Sequence, residues 1–257
     1  MSMKRLVALC LALAAVGLTW PSGAQERKDP EVREEAKRLL RSYWTDFASP
    51  ETNLAYGRRL NGPKGIAVLA SPAEIRQGLV RGQPVPYGYG SGIEDIALHN
   101  GHLLFALCDA YEATKEAEFA DAARRVFSGL KRVGTVSPVP GFVPRGPHPD
   151  GKSYYRDSSL DQHTTYVYGL WRYSRSELAT DADKAFIRDA LAQFGKRMER
   201  NGWFVKNEDD SQVAHVGFCW LQWTDVGAGT LLTVLAAIHD ATADAHWRDL
   251  YSARSLM

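Results

Sequence analysis

Three aspartates stand where the sequence predicts that helices begin: Asp95, Asp161 and Asp225. An aspartate in the first turn of a helix complements the helix dipole and needs no substrate to explain it. Two carboxylates held across a cleft can also act as general acid and as base or nucleophile on a glycosidic bond. Asp161 and Asp95 are the leading pair for that chemistry.

Capping patterns locate two of these helix starts. Ser159 is followed three residues later by Gln162, and Ser91 is followed at the same spacing by Glu94. A Ser with Glu or Gln at this spacing predicts a capping box. Asp161 and Asp95 are therefore expected in first turns. We expect the helix starts to point at one mouth.

Other polar residues near these starts favour a sugar substrate. Exposed helix N-termini, Arg145 and Arg156 could hold an anionic group such as a uronate carboxylate. The substrate-binding candidates are His99, Asn100, Arg145, Tyr155, Arg156, Trp223 and Asp225, and His163 joins the two aspartates as a catalytic candidate.

A lyase reaction uses the same residue types. In β-elimination a His or Tyr removes the proton next to a uronate carboxylate, while Asn and Arg neutralise that carboxylate. His163, Tyr155, Asn100 and Arg156 supply these groups. Spacing alone leaves hydrolysis and elimination open.

Metal and cofactor signals are weak. His99 and His102 lie three residues apart, but the chain has no His-Glu-x-x-His pattern. It also has no Gly-rich phosphate loop and no Gly-x-Ser-x-Gly elbow. We expect no metal and no cofactor.

The chain resembles itself from about Asp95 onward. The segment LLFALCDAYEATKEAEFADAARRV aligns without gaps on LLTVLAAIHDATADAHWRDLYSAR, and a looser copy lies between them. Each copy predicts an apolar inner helix, packed on every side, and an amphipathic outer helix. The sequence therefore predicts an all-α chain of helical hairpins that recur about every 64 residues.

Other segments frame these hairpins. A helix is predicted from Pro30 to about Phe47, and a short one near Ser71 to Val80. Long loops run from Val133 to Ser158 and from Asn201 to about Thr224. Loops of such length in a compact domain are usually functional.

Residues 1–24 read as a cleavable signal peptide. Lys4 and Arg5 precede an apolar run, and small residues lie before Gln25. The run is shorter than the roughly 20 residues that cross a bilayer, and no other stretch is long and apolar enough. The sequence therefore predicts a secreted or periplasmic protein with no membrane span.

Charge and cysteine content limit the function further. Without Lys4 and Arg5 the 31 basic residues become 29, against 30 acidic ones. This balance argues against a nucleic-acid partner, which a clustered basic excess would indicate. Cys108 and Cys219 both lie among apolar residues and are expected to be buried free thiols.

The stretch GYGSGIEDIALHNGHLL, the FVPRG loop and DSSLDQHTTYVYGLWRY resemble the (α/α)-toroid carbohydrate enzymes of the six-hairpin glycosidase type. The resemblance covers about Tyr87 to Arg254. It implies acids at the starts of inner helices, on Asp95 and Asp161 and less surely on Asp225. These enzymes include hydrolases that act on uronate-containing glycans, so the resemblance implies such an activity here. Polysaccharide lyases share the architecture.

A ring of six hairpins needs about twice the hairpins seen here. We therefore expect residues 25–257 to form an incomplete toroid, truncated at the C-terminus. The predicted function is hydrolysis of an oligosaccharide or polysaccharide. The alternatives are a lyase on the same substrate and a non-catalytic remnant that binds glycan.

Overall fold

The computed structural model describes residues 29–221 and 225–255, which are mostly helical and contain no closed sheet. Two short antiparallel pairs join β1 (Ala48–Ser49) to β2 (Leu54–Ala55) and β3 (Leu79–Val80) to β4 (Gln83–Pro84). The eight α-helices of these residues are α1 Asp29–Phe47, α2 Pro72–Gln77, α3 Ile96–Thr114, α4 Ala117–Thr135, α5 Leu160–Ser174, α6 Asp181–Arg200, α7 Asp225–Thr242 and α8 Ala245–Ser255.

The chain divides after Arg38 into two compact units. The described part of the first unit is the beginning of α1, where Lys37 pairs with Glu34 at 2.6 Å. The second unit begins at Leu39 and contains the hydrophobic core. The helix predicted from Pro30 to about Phe47 is confirmed by α1.

The second unit holds three consecutive helical hairpins, α3 with α4, α5 with α6, and α7 with α8. The first helices of the hairpins are neighbours, since α5 packs against both α3 and α7. Lys115 closes the first hairpin in the left-handed conformation, with φ of 59°. The predicted succession of helical hairpins is confirmed.

The contact between α3 and α5 is close because glycines lie at it. A Cβ added to Gly101 would lie 2.4 Å from the Thr165 carbonyl oxygen, and one added to Gly169 would lie 2.8 Å from the Gly101 carbonyl oxygen. Small residues at a crossing let helix backbones approach one another. The two glycines thus set how near the starts of α3 and α5 can lie.

The outer helix α4 is amphipathic as predicted and buries a stripe that includes Phe119, Val126 and Leu130. The inner helix α3 differs from expectation. Phe105 is 39% exposed, and His99 and His102 are exposed as well. Because α4 and α5 cover only part of its circumference, α3 keeps an open stripe among the described residues.

Two further expectations are met within the described residues. No helix there combines the length and apolar character needed to cross a membrane. Cys108 and Cys219 are both buried and free. The predicted signal peptide, residues 1–24, lies outside the described residues and stays a prediction.

The close crossing predicts opposite effects for the same substitution at two helical glycines. Gly101→Ala forces a methyl group against the α5 backbone and should destabilise the fold by about 1–3 kcal/mol. Gly229→Ala in α7 meets nothing within 4 Å and should stabilise it by about 0.5–1 kcal/mol. Urea unfolding followed by circular dichroism measures both. An unchanged stability for Gly101→Ala would contradict the close contact.

Candidate functional site

Asp95 and Asp161 lie on either side of Gln162, at the adjoining starts of α3 and α5. The Gln162 side-chain amide donates to Asp95 Oδ1 at 3.0 Å, and its backbone amide donates to Asp161 Oδ1 at 2.9 Å. Asp161 is exposed, and so is His99, one turn into α3. We call Asp95, His99, Asp161 and Gln162 the acid site. The structure brings three of the predicted residues together there.

The Ser159 and Gln162 capping box does not form, although α5 begins at Leu160 as expected. The Ser159 hydroxyl donates to Asp161, and the Gln162 side chain turns towards α3. Its oxygen accepts from the Leu98 backbone amide at 2.8 Å. The Leu98 amide lies in the first turn of α3 and has no partner within its own helix, so it is available to the Gln162 side chain.

The second predicted box shapes the turn before α3. Glu94 accepts hydrogen bonds from the Ser91 hydroxyl and from the Gly92 amide. The helix itself begins at Ile96, with Asp95 at the N-cap and no capping bond from its side chain. Asp95 therefore lies just before the first turn. Its carboxylate is not used to cap the helix.

The start of α3 is not free to bind an anion. The Ala97 backbone amide donates to the Arg145 carbonyl at 2.8 Å, and the Leu98 amide donates to Gln162. These amides are among those a helix leaves without an intrahelical partner. At α3, a uronate carboxylate would have to displace these bonds to reach the helix end.

The surroundings of Asp95 differ from those of Asp161 and shift its pKa upward. Partial burial raises the pKa of Asp95 above its usual range. The nearby His99 opposes this rise, whereas the negative charges of Glu94 and Asp161 reinforce it. Neighbouring carboxylates in unlike surroundings are a common arrangement for acid and base roles.

Arg145 is buried and holds the loop before α5 against the start of α3. Its guanidinium lies 3.4 Å from Asp157 and donates to the backbone oxygens of Glu94 and Ser158. All three interactions are internal. Arg145 therefore positions the acid site and is not placed to bind substrate directly.

Three rings form a surface that the sequence did not predict. Tyr87 stacks on His215 with ring centroids 3.7 Å apart, and Tyr89 meets both rings edge-on. Tyr89 is 40% exposed and also covers the Arg145 guanidinium at 4.8 Å. We call Tyr87, Tyr89 and His215 the aromatic corner. The alternation Tyr-Gly-Tyr-Gly before Glu94 could have indicated exposed tyrosine rings in this turn. No local pattern indicated that His215 would join them.

His163 does not lie at the acid site. Its side chain is 1% exposed, and its ring packs edge-on against Phe194 and Trp220. Burial first, and then the positive charge of Arg197, lower the pKa of His163 to about 3. A neutral histidine inside the core is not placed to act on a substrate, so its predicted catalytic role is not supported.

Asn100 and Tyr155 are buried as well. The Asn100 side chain exchanges hydrogen bonds with the backbone of Ala55 and donates to the Ile96 carbonyl. The Tyr155 hydroxyl donates to the Leu79 carbonyl at 2.7 Å, and burial raises its pKa to about 12. Both side chains fix β2 and β3 in place, so the substrate contacts predicted for them do not occur in this arrangement.

Arg156 is exposed and belongs to a cluster around Glu208. Its Nε lies 3.2 Å from one Glu208 oxygen, and 83% of its side chain is exposed. The other Glu208 oxygen accepts from the hydroxyls of Ser137 and Tyr154. The buried Glu208 carboxylate thus fastens the loop after α4 to the loop after α6.

The remaining candidates come from the third hairpin. Trp223 lies outside the described residues. Asp225 is the first residue of α7, as its predicted place at a helix start requires, and its side chain is not described. Among the residues that are described, no group of three or more His, Cys, Asp or Glu could hold a metal ion.

Comparison of this chain with protein-family models, with curated proteins and with solved structures finds no match. The geometry of the residues is therefore the basis for assigning a function.

The pair formed by Arg145 and Asp157 predicts a pH-dependent loss of stability. Burial already raises the pKa of Asp157, and Arg145→Met would raise it further by removing the opposing charge. At neutral pH the ionised Asp157 of this variant has no positive partner, which should lower the free energy of unfolding by about 3–5 kcal/mol. The loss should be smaller near pH 4, because Asp157 gains a proton there.

Urea unfolding of Arg145→Met at pH 7 and pH 4 measures this difference. The matched control is Arg248→Met, which removes an exposed ion pair with Asp249 and should change stability by less than about 0.5 kcal/mol. Equal losses for Arg145→Met at both pH values would contradict the predicted coupling.

Proposed function

We propose that this protein is a carbohydrate-active enzyme that hydrolyses glycosidic bonds in a uronate-containing glycan. The observation that supports this most is the acid site, where carboxylates at the starts of two helices accept hydrogen bonds from the backbone amide and the side-chain amide of one residue, Gln162. They differ in surroundings, since Asp95 is partly buried with a raised pKa and Asp161 is exposed. Such a pair suits the division of roles in glycoside hydrolysis.

In this mechanism Asp95 is the general acid. Its proton passes to the glycosidic oxygen as the bond to the anomeric carbon breaks, which gives the leaving sugar a hydroxyl group. Asp161 either takes a proton from the water that attacks this carbon, or bonds to the carbon itself. In the second case water later replaces Asp161 and gives its proton to the ionised Asp95. Gln162 holds Asp95 in position.

The aromatic corner and Arg156 support the choice of substrate. The exposed ring of Tyr89 lies against Arg145, which itself binds the backbone of Glu94 beside Asp95. A sugar ring can stack on such a surface next to the acid site. The exposed guanidinium of Arg156 is a suitable partner for a uronate carboxylate, because arginine pairs with carboxylates in two-pronged geometry.

Elimination on the same substrate fits the structure less well. It would use His163 or Tyr155 as base or acid and Asn100 as carboxylate partner, and all three are buried with internal contacts or core packing. Hydrolysis needs only residues of the acid site, so it is the function we propose.

The proposal extends to architecture and location. Three hairpins with adjoining first helices fit part of the (α/α) toroid of six-hairpin glycosidases, which the sequence resembles. An apolar leader over residues 1–24 fits a secreted or periplasmic enzyme whose substrate is met outside the cytoplasm. The alternative is a non-catalytic remnant that binds glycan, and an activity assay distinguishes it from an enzyme.

We expect the purified protein to release reducing ends from a uronate polysaccharide without the ultraviolet absorbance of an unsaturated product. Asp161→Asn and Asp95→Asn should each lower kcat by about 100-fold or more, because each removes one acid–base group. Asp95→Asn keeps an oxygen that accepts from Gln162. The exposed Asp121→Asn is the matched control and should keep full activity.

The pH profile separates the two roles. The general acid must hold its proton, so its ionisation sets the alkaline limb of kcat/KM, and that limb should disappear in the residual activity of Asp95→Asn. Absorbance of an unsaturated product would overturn hydrolysis. Glycan binding with no turnover in the unmutated protein would favour the remnant.

A further inference from the structure

A separate pocket of about 610 Å³ lies between the turn after β1 and the start of α2. Its wall is mainly apolar, and a short 3₁₀ helix at Gly65–Val68 forms one side. Pockets of this size with a largely apolar surface are typical of small-molecule sites. The lining residues are Glu51, Ile66, Ala67, Leu69, Ser71, Pro72, Glu74, His148, Pro149 and Asp150.

His148 gives this pocket a directed hydrogen-bond donor. The residue is 4% exposed, and its Nδ1 accepts a hydrogen bond from the Asp150 backbone amide at 3.0 Å. The Asp150 carboxylate lies farther from Nδ1, at 3.6 Å, so the nearer backbone amide favours the tautomer that carries its proton on Nε2. Burial lowers the pKa of His148, which favours this neutral form.

The Nε2 atom of His148 has no hydrogen-bond partner within residues 29–221 and 225–255. This atom is nevertheless not fully buried, because solvent can reach it. Because the side chain is otherwise enclosed and lines the pocket, Nε2 is reached from the pocket. A ligand oxygen that accepts from Nε2 in this largely apolar pocket adds one directed hydrogen bond, which contributes affinity.

The charges around the pocket select against anions. Glu51, Glu74 and Asp150 line it, and no Lys or Arg is among the described lining residues. Glu51 accepts from Ser49, and Glu74 and Asp150 accept from nearby backbone amides. These local bonds keep the carboxylates in place and ionised, and Glu51 and Asp150 both have lowered pKa values.

We propose that this pocket binds a small molecule with an apolar body, a hydrogen-bond acceptor for His148 Nε2 and no negative charge. The apolar wall supplies most of the binding free energy through burial of the ligand. His148 fixes the orientation of the ligand, and the carboxylates exclude anions. None of the residues of the acid site lines this pocket, so it is a second site that does not depend on the proposed hydrolysis.

Three probes of similar shape test this site: 4-phenyl-1-butanol, butylbenzene and 4-phenylbutyrate. Calorimetry or ligand-observed NMR on the full chain should detect saturable binding of the alcohol with a Kd of about 1 mM or tighter. The carboxylate should bind at least about five-fold more weakly than the alcohol.

His148→Asn separates the donor from the fold. The asparagine oxygen can still accept from the Asp150 amide, but the pocket loses its Nε2 donor. The Kd of the alcohol should rise about five-fold, as expected for one lost hydrogen bond, and that of butylbenzene should stay the same.

Ala67→Phe tests the location of the site without changing His148. Ala67 is exposed on the 3₁₀ helix and lines the pocket, so the larger side chain should fill it and abolish binding of the alcohol. Ala113→Phe, at an exposed position of α3, is the matched control and should bind as the unmutated protein does.

Three results would overturn the proposal. They are no saturable binding of the alcohol to the unmutated protein, undiminished binding to Ala67→Phe, and equal affinity for the alcohol and the carboxylate. An unchanged Kd of the alcohol in His148→Asn, or an equal weakening of alcohol and butylbenzene binding, would overturn the role of His148 as donor.

Discussion

The rest of the structure depends on how closely α3 approaches α5. Without side chains at Gly101 and Gly169 the two backbones come into direct contact, so the starts of the helices lie side by side. Only at that distance can the Gln162 side chain leave its own helix and bind both the Leu98 amide and the Asp95 carboxylate. The geometry of the acid site is thus a product of helix packing.

Much of the fold and the leading pair of acids could be predicted from the sequence, because periodicity and capping residues act locally. The errors arise where a prediction needed the direction of a side chain. Residues two apart on a helix point about 200° apart. If Asp161 faces solvent, His163 must face the core, as it does. Helical geometry could have excluded His163, but it could not exclude Tyr155, whose loop conformation depends on distant contacts.

The aromatic corner shows a limit of a different kind. Tyr87 and His215 are far apart in the chain, and they meet because the His215 backbone amide binds Asp157, which in turn pairs with Arg145. These contacts join the loop after α4 to His215 in the loop after α6, and the Tyr89 ring on Arg145 joins it to the turn before α3. No short stretch of sequence contains enough of this network to predict it, although the length of both loops indicated that they are functional.

Glu208 has a consequence for motion at the site. One carboxylate receives hydroxyls from the loop after α4 and itself belongs to the loop after α6, so neither loop can lift away without breaking the same bonds. The two loops should therefore open as one cooperative unit, with similar hydrogen-exchange protection.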